Sequence, residues 1–139
     1  MLERVRESSV DEIVVVLGAH DVETEARTVH CPEWWQGPGA SLRCGLRSLP
    51  AEAESAVVVL ADGPDLSPAA IDRVLATWRQ GHPIVAASYA GERSHPVVLD
   101  RSAWSRIPDE GARRLDAVLV PCDDLGPPGD VDVADDLNR

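Results

Sequence analysis

The sequence is poor in basic residues, and this deficit excludes a class of function. Only 13 residues are Lys or Arg, whereas 24 are Asp or Glu, so the formal net charge is −11. Nucleic-acid binding relies on basic side chains that neutralise phosphates over an extended surface. We therefore expect no nucleic-acid partner. A small anionic substrate is still compatible with this charge, provided that a metal ion or local arginines reverse the field inside the site.

Cysteine motifs and long apolar runs are also lacking. The three cysteines are widely spaced, odd in number and form no C-x-x-C pair; they are Cys31, Cys44 and Cys122. Reduced cytosolic thiols are the simplest interpretation, and the spacing of Cys and His matches no regular zinc motif. No segment is long enough to span a membrane, and the first residues lack the apolar core of a signal peptide. We predict a cytoplasmic protein that does not contact a membrane.

What the sequence does contain is an alternation of short aliphatic runs and helical patterns. A length of 139 residues with 44% apolar content predicts one domain, residues 1–139, with a sizeable core. Strands are predicted over 12–19, 25–31, 56–60, 83–89, 96–100 and 117–122, and helices over 40–49 and 67–80. Strands that alternate with helices predict a three-layer α/β fold with a mostly parallel sheet and helices on both faces. Residues 1–12 read as the last turns of a helix that docks on another element, because so short a helix is marginal alone.

The run AVVVLADGPDL contains the first candidate functional residue. Its aliphatic residues predict a strand buried on both faces, and Asp62 stands at the carboxyl end of that strand. In an open α/β sheet this edge is where ligands bind. A carboxylate there is suited to Mg²⁺, which prefers hard oxygen ligands and bridges phosphate oxygens. The alternative is a loop aspartate that caps a turn or a helix.

The segment WWQGPGASLRCGL, residues 34–46, is the second candidate. Gly37 and Gly39 would let the backbone approach a ligand, and Ser41 stands where a helix begins, so its hydroxyl and nearby amides are suited to a ribose or phosphate. The alternative is a capped loop in which Trp34 and Trp35 merely pack. The segment is not a Walker loop, because no G-K-[ST] follows.

Two further patterns supply polar side chains. His95, before Pro96, is predicted at a strand entrance, where an imidazole can meet substrate, although a lone histidine is more often structural. The acids Asp109, Asp130 and Asp132 could converge on a metal ion or on polar edges of a substrate. Acid clusters are also common at helix starts and on solvent-facing surfaces.

The order of these segments resembles that of the MobA-like nucleotidyltransferases, most closely the molybdenum cofactor cytidylyltransferase branch. The similarity runs from about residue 10 to residue 137 and depends on VVVLGA, GPGASLRCGL, VVLADGPDLS, RSHPVVLDRSAW, PDEGARRL and DVDVADDL in that order. It implies a Rossmann-like sheet of the nucleotide-diphospho-sugar transferase type. It also implies transfer of a nucleoside monophosphate from an NTP, usually CTP, onto the terminal phosphate of a molybdopterin-type cofactor, with release of pyrophosphate.

The resemblance also assigns roles to residues. It implies that Asp62 is the catalytic, Mg²⁺-binding aspartate and that Asp130 is a second metal ligand. Gly37 and Ser41 lie where the family contacts the base and ribose. The acceptor side would be lined by His95, Asp109 and Asp132.

The sequence departs from the family pattern at two places. Ser94 stands where the family commonly has glycine before His-Pro. The family begins with a central strand and a glycine-rich loop containing Arg and Lys, and this sequence shows neither, so the first strand of the fold is expected to be missing. Two neighbouring strands would then have unpaired edges, which are costly when buried. The resemblance therefore predicts weak NTP binding by these 139 residues alone.

Three readings of the chain follow. In the first, Met1 is an internal methionine of a longer, active nucleotidyltransferase. In the second, the chain is a non-catalytic relative that binds a pterin cofactor or a partner protein. In the third, the transferred group is GMP from GTP. A second copy of the chain filling the missing strand's place would make a homodimer, and a molybdoenzyme is a further expected partner.

Overall fold

Three α-helices and six β-strands make up the regular structure of the described residues, which are 2–17, 27–60 and 65–129 of a computed structural model. Asp62, Asp130 and Asp132 lie outside these residues. The helices are α1 (Leu2–Arg6), α2 (Pro38–Arg47) and α3 (Pro68–Trp78). The strands are β1 (Val14–Leu17), β2 (Arg27–His30), β3 (Ser55–Val58), β4 (Ile84–Tyr89), β5 (Glu92–Asp100) and β6 (Val118–Pro121). No helix among these residues is long and apolar enough to cross a membrane.

The described strands form two sheets. β1 and β2 pair in parallel, and the second sheet has the strand order β3-β5-β4-β6. β5 is antiparallel to both of its neighbours, whereas β4 and β6 are parallel. The strands β3, β4 and β6 therefore run in one direction, which confirms a mostly parallel sheet. β5 is reversed because a tight turn at Ala90 and Gly91, both with positive φ, joins it directly to β4.

β5 begins earlier than the sequence pattern indicates. Pro96 suggested a strand start, but the strand begins at Glu92, so the prediction that His95 lies at a strand entrance was wrong. The pairing with β4 shifts between Ala86, which faces Val97, and Ser88, which faces Arg93. Proline has no N–H to donate to a strand ladder and is confined to edges and irregularities. The shifted register accommodates Pro96 inside the strand.

The second sheet is covered on both faces, as expected for three layers. Because side chains alternate along a strand, Val57 of β3 packs in a cluster with α3, whereas Ala56 and Val58 pack with residues of α2. The side chains of β5 alternate in the same way: Val98 packs in the cluster with α3, and Leu99 packs in the cluster with α2. These two apolar clusters are the core of the described structure.

The short helix α1 ends at Arg6, earlier than the sequence pattern indicated, and it docks on α3. Val5 is buried in the cluster that contains Ile71 and Val74 of α3. After the helix, the backbone N–H and the hydroxyl of Ser9 both donate to Oδ1 of Asp72, at 2.9 and 2.8 Å. The tertiary contacts supply the stability that so few residues cannot supply alone.

Helix α2 contacts both sheets. Gly45 lies directly against the side chain of Val16 in β1, where a Cβ atom would clash. The next residue, Leu46, is buried in the cluster that includes Val58 of β3. Among the described strands, β1 pairs only with β2 and β3 only with β5. Among the described residues, β1 and β3 are therefore edge strands of two sheets that both contact α2; a missing first strand stays a prediction.

Candidate functional site

The glycine-containing start of α2 packs against a loop far away in the sequence. The N–H of Gly39 donates to the carbonyl oxygen of Asp109 at 2.8 Å. A Cβ atom at Gly39 would overlap the carbonyl oxygen of Pro108, and one at Gly37 would overlap that of Asp109. Gly37 also has a φ of +136°, which L side chains rarely adopt. The structure therefore brings Gly37, Ser41 and Asp109 into one region.

This packing explains, in structural terms that the sequence did not reveal, why residues 37 and 39 are glycines. Their missing side chains make room for the backbone of residues 108 and 109, within the protein itself. Contact of Gly37 with a nucleotide stays a prediction. The sequence predicted close approach of a ligand to these glycines, whereas in the described structure a protein segment approaches them.

The first backbone amides of α2 already donate hydrogen bonds to groups of the protein itself. Pro38 has no N–H, Gly39 bonds to Asp109, and the amides of Ala40 and Ser41 point to the carbonyl of Gly37 at 3.1 and 3.4 Å. No described residue hydrogen-bonds the hydroxyl of the half-buried Ser41. In the described conformation, the hydroxyl of Ser41 is thus better placed than these amides to serve a ribose or phosphate.

Two tryptophans precede this segment on the surface. Trp34 and Trp35, in a 3₁₀ helix over Trp34–Gln36, are 44% and 69% exposed. Neither tryptophan belongs to the buried core of the described residues. An exposed aromatic ring beside Gly37 offers an apolar face that a base can stack on.

Arg43 is a residue of the site that sequence reasoning missed. Its guanidinium donates from Nη1 to the carbonyl oxygen of Ile107 at 2.7 Å and from Nη2 to Oδ1 of Asp109 at 2.6 Å. The spacing along α2 could have indicated Arg43 as a site residue. Arg43 follows Gly39 by four residues and therefore lies on the same face of the helix. The carboxylate of Asp109 is thereby committed to an ion pair within the protein.

His95 is buried within β5, at 7% exposure. Its Nδ1 accepts a hydrogen bond from the backbone N–H of Leu60 at 3.3 Å. A neutral imidazole whose Nδ1 accepts has its proton on Nε2. Leu60 is two residues before Asp62 in the sequence, so His95 contacts the chain that leads from β3 to the predicted metal-binding aspartate.

Arg93 connects the strand of His95 to the segment that follows Asp109. Its two terminal nitrogens donate to the carbonyl oxygens of Leu115, at 2.6 Å, and Ala112, at 3.0 Å. Burial lowers the pKa of this guanidinium, and the charge of Asp116 opposes the effect. The parts of the candidate site are therefore joined through β5 and residues 112–115.

The cysteines are free thiols, all buried. The Cys31 thiol contacts the carbonyl of Ala40 at 3.6 Å, and that of Cys44 contacts the carbonyl of His30 at 3.7 Å. Burial, with a smaller effect of the Cys31 thiol, raises the pKa of Cys44. Within residues 2–17, 27–60 and 65–129, no group of three or more His, Cys, Asp or Glu side chains could hold a metal ion. The predicted metal ligands, Asp62 and Asp130, are outside these ranges.

Two shallow grooves are present on the surface of the described residues. One, of about 620 Å³, is lined by residues that include Trp78, His82 and Asp100. The other, of about 570 Å³, lies between α2 and the 3₁₀ helix Arg101–Arg106 and is lined in part by Arg43 and Trp104. The second groove meets the site at Arg43, and neither groove is lined by Gly37, Ser41, His95 or Asp109.

In open α/β sheets covered by helices, ligands bind at the carboxyl ends of the strands. The sequence profile of the MobA-like NTP transferase domain matches residues 1–123. The chain belongs to this family, and membership supports a nucleotidyltransferase role. No match was found among curated protein sequences.

Solved structures share the fold. A homologue of Rv0371c from Mycobacterium sp. strain JC1 is 25% identical, with a TM-score of 0.79 over 99% of this chain and 77% of that one. The manganese complex of Rv0371c from Mycobacterium tuberculosis H37Rv is 21% identical, with a TM-score of 0.77 over 99% and 81%. Molybdopterin-guanine dinucleotide biosynthesis protein A from Archaeoglobus fulgidus is 18% identical, with a TM-score of 0.60 over 84% and 67%. These similarities agree with a nucleotide-diphospho-sugar transferase-like fold.

Proposed function

We propose that the protein transfers CMP from CTP to the terminal phosphate of a molybdopterin-type cofactor, in a reaction that depends on Mg²⁺ and releases pyrophosphate. The observation that carries the proposal is the family match over residues 1–123. The packing of Gly37 and Gly39 against residues 108 and 109 supports it, because it brings the predicted nucleotide side and acceptor side together.

In this proposal, residues of the chain bind the nucleotide and the acceptor and orient them for the transfer. The hydroxyl of Ser41 contacts the ribose, and the backbone at Gly37 contacts the base. The contact with Leu60 orients the imidazole of His95, which lies on the acceptor side in this proposal. Asp132 lines that side as well, whereas the carboxylate of Asp109 is held by Arg43. Holding the acceptor oxygen in line with the α-phosphorus is the main contribution a protein makes to such a transfer.

The proposed metal ligands are Asp62 and Asp130. Carboxylate oxygens are the ligands that Mg²⁺ prefers, and a bound divalent cation would offset the charge of a triphosphate in a protein whose net charge is −11. The manganese complex of the Mycobacterium tuberculosis protein shows that a related fold can be prepared with a divalent cation.

GTP is the second candidate donor. The preference for CTP depends on the segments GASLRCGL and SHP, which resemble the cytidylyltransferase branch. The name of the Archaeoglobus fulgidus structure, in contrast, refers to a guanine dinucleotide. The two donors differ in the base alone, so the assay must compare them directly.

A pyrophosphate-release assay tests the proposal. Purified protein is mixed with molybdopterin, Mg²⁺ and either CTP or GTP, each titrated into the millimolar range because binding is expected to be weak. Asp62→Ala is compared with Asp65→Ala, a matched control that removes an exposed carboxylate from the same segment. We expect faster release with CTP than with GTP, loss of release in Asp62→Ala and retention in Asp65→Ala.

The other outcomes are equally informative. Equal release by Asp62→Ala and wild type would overturn the role of Asp62, and faster release with GTP would identify a guanylyltransferase. Cofactor binding without pyrophosphate release from either nucleotide would favour the non-catalytic binding module.

A further inference from the structure

Arg43 is placed to control the conformation of residues 37–41 from outside that segment. It lies on α2, one turn beyond Gly39, and its guanidinium reaches residues that are 64 and 66 positions away in the sequence. Its side chain is 27% exposed, whereas that of Asp109 is 55% exposed. Arg43 is therefore the more enclosed member of the pair.

The contacts of Arg43 hold both ends of one short segment. Nη1 binds the carbonyl oxygen of Ile107, and Nη2 binds the carboxylate of Asp109. Residues 107–109 contain no helix or strand, so they have no ladder of backbone hydrogen bonds to fix them. A planar guanidinium with donors in a fixed fork is suited to such a double contact.

The segment held by Arg43 is the one that holds the start of α2. The carbonyl oxygen of Asp109 accepts from the N–H of Gly39 at 2.8 Å, and residues 108 and 109 fill the space above Gly37 and Gly39. A Cβ atom added at Gly111 would lie 3.5 Å from the ring of Pro38, so residue 111 is also close to the start of α2. Displacement of residues 107–109 would therefore displace the backbone of residues 37–39.

We propose that Arg43 is a positioning residue, which holds residues 37–41 in their nucleotide-accepting conformation through Ile107 and Asp109. The inference rests on the proposed function for its link to the nucleotide, although the contacts themselves do not. In this account, Asp109 acts through Arg43 and Gly39, and it does not contact the reacting atoms. The ion pair is half exposed and therefore contributes little to global stability. Loss of the ion pair is therefore expected to weaken nucleotide binding.

The test compares Arg43→Ala and Arg43→Lys with Arg47→Ala. Arg47 is a matched control, because it lies one turn further along the same helix and is exposed. Amide hydrogen exchange of residues 37 and 39–41 is measured first, without nucleotide. We expect exchange to be about tenfold faster in Arg43→Ala, because local opening becomes easier, and unchanged in Arg47→Ala. Arg43→Lys keeps the charge but not the fork, so an intermediate rate is expected.

Kinetics then separate positioning from catalysis. We expect Arg43→Ala to raise the KM for CTP about tenfold while kcat changes by less than about twofold. Asp109→Ala should reproduce this effect, and the double variant should be no worse than either single variant, because both changes disrupt one contact. A loss of kcat in Asp109→Ala with unchanged KM would overturn the inference, since it would place Asp109 at the reacting groups.

The two proposals fail in different ways. Wild-type protein that binds no nucleotide would overturn the proposed function, and the exchange measurement would still decide whether Arg43 holds the segment. Exchange rates equal to wild type in Arg43→Ala would overturn the inference even in an active enzyme.

Discussion

The backbone N–H of Leu60 donates a hydrogen bond to Nδ1 of His95, with 3.3 Å between the two nitrogens. Leu60 follows β3 and His95 lies within β5, the strand that pairs with β3. The contact therefore connects the chain before Asp62 with a buried imidazole. Because Nδ1 accepts, the neutral ring has its proton on Nε2.

The first prediction concerns this tautomer. At pH 8, ¹⁵N shifts of the His95 ring should show protonated Nε2 and unprotonated Nδ1, with His82 as the reference ring in the same spectrum. His95→Asn keeps an acceptor near the position of Nδ1, so it should be more stable to urea than His95→Phe by about 1 kcal/mol, the usual contribution of one hydrogen bond. A proton on Nδ1, or equal stability of the two variants, would contradict the assigned contact.

Much of the fold could be predicted from local patterns. The aliphatic runs at Val14–Leu17 and Ser55–Val58 and the apolar spacing of α3 each indicate their element, because burial on two faces or on one stripe leaves a periodic signature. The reversal of β5 was not predicted. A proline inside a strand pattern suggests a boundary, and only the pairing with β4 shows that a register shift accommodates it.

The site was harder to predict, for a different physical reason. Glycine at positions 37 and 39 indicates close backbone approach but not which group approaches. The contacts of Arg43 with Ile107 and Asp109 join residues more than sixty positions apart. Periodicity and capping rules describe neighbours along the chain, so such contacts become visible only in the folded structure.

The second prediction uses the single tyrosine of the sequence, Tyr89. Within the described residues its hydroxyl is buried without a hydrogen-bond partner, and burial raises its pKa to about 12. Absorbance at 295 nm should therefore titrate with a midpoint of about 12 in folded protein and about 10 in denaturant. Because the folded-state pKa is raised, its contribution to stability is fully present below about pH 10 and is lost as the pH rises towards the folded-state value.

A variant controls for the source of this signal. Tyr89→Phe should abolish the titration and should be at least as stable as wild type at pH 7, since it removes an unpaired buried hydroxyl and keeps the ring. A folded-state midpoint near that of free tyrosine would show that the phenol is hydrated.

The third prediction concerns the close packing of Gly39. Gly39→Ala should destabilise the protein by about 3 kcal/mol, because the added methyl must displace the backbone of Pro108. Gly81→Ala is the control, since Gly81 has a positive φ but no atom within 4 Å of its Cβ position. Gly81→Ala should lower the free energy of unfolding by about 1 kcal/mol, from backbone strain alone. Urea denaturation measures both, and a smaller effect at Gly39 than at Gly81 would contradict the packing.

The fourth prediction tests the unpaired edges of β1 and β3. β4 has a partner on each side, so nearly all its amides are bonded to β5 or β6, whereas β1 and β3 each have one partner among the described strands. In a strand paired on one side, alternate amides point away from the partner. Amide exchange should accordingly be slow throughout β4 and alternately slow and fast along β1 and β3.

The concentration dependence of this pattern distinguishes its causes. If the edges of β1 and β3 are exposed to water, the alternating pattern should persist at every protein concentration. If a second copy pairs with them, the fast amides should become protected as concentration rises, with a parallel increase in mass by sedimentation. Continuous protection at low concentration, with a monomeric mass, would show instead that these edges are covered within one chain, contrary to the two-sheet arrangement described above.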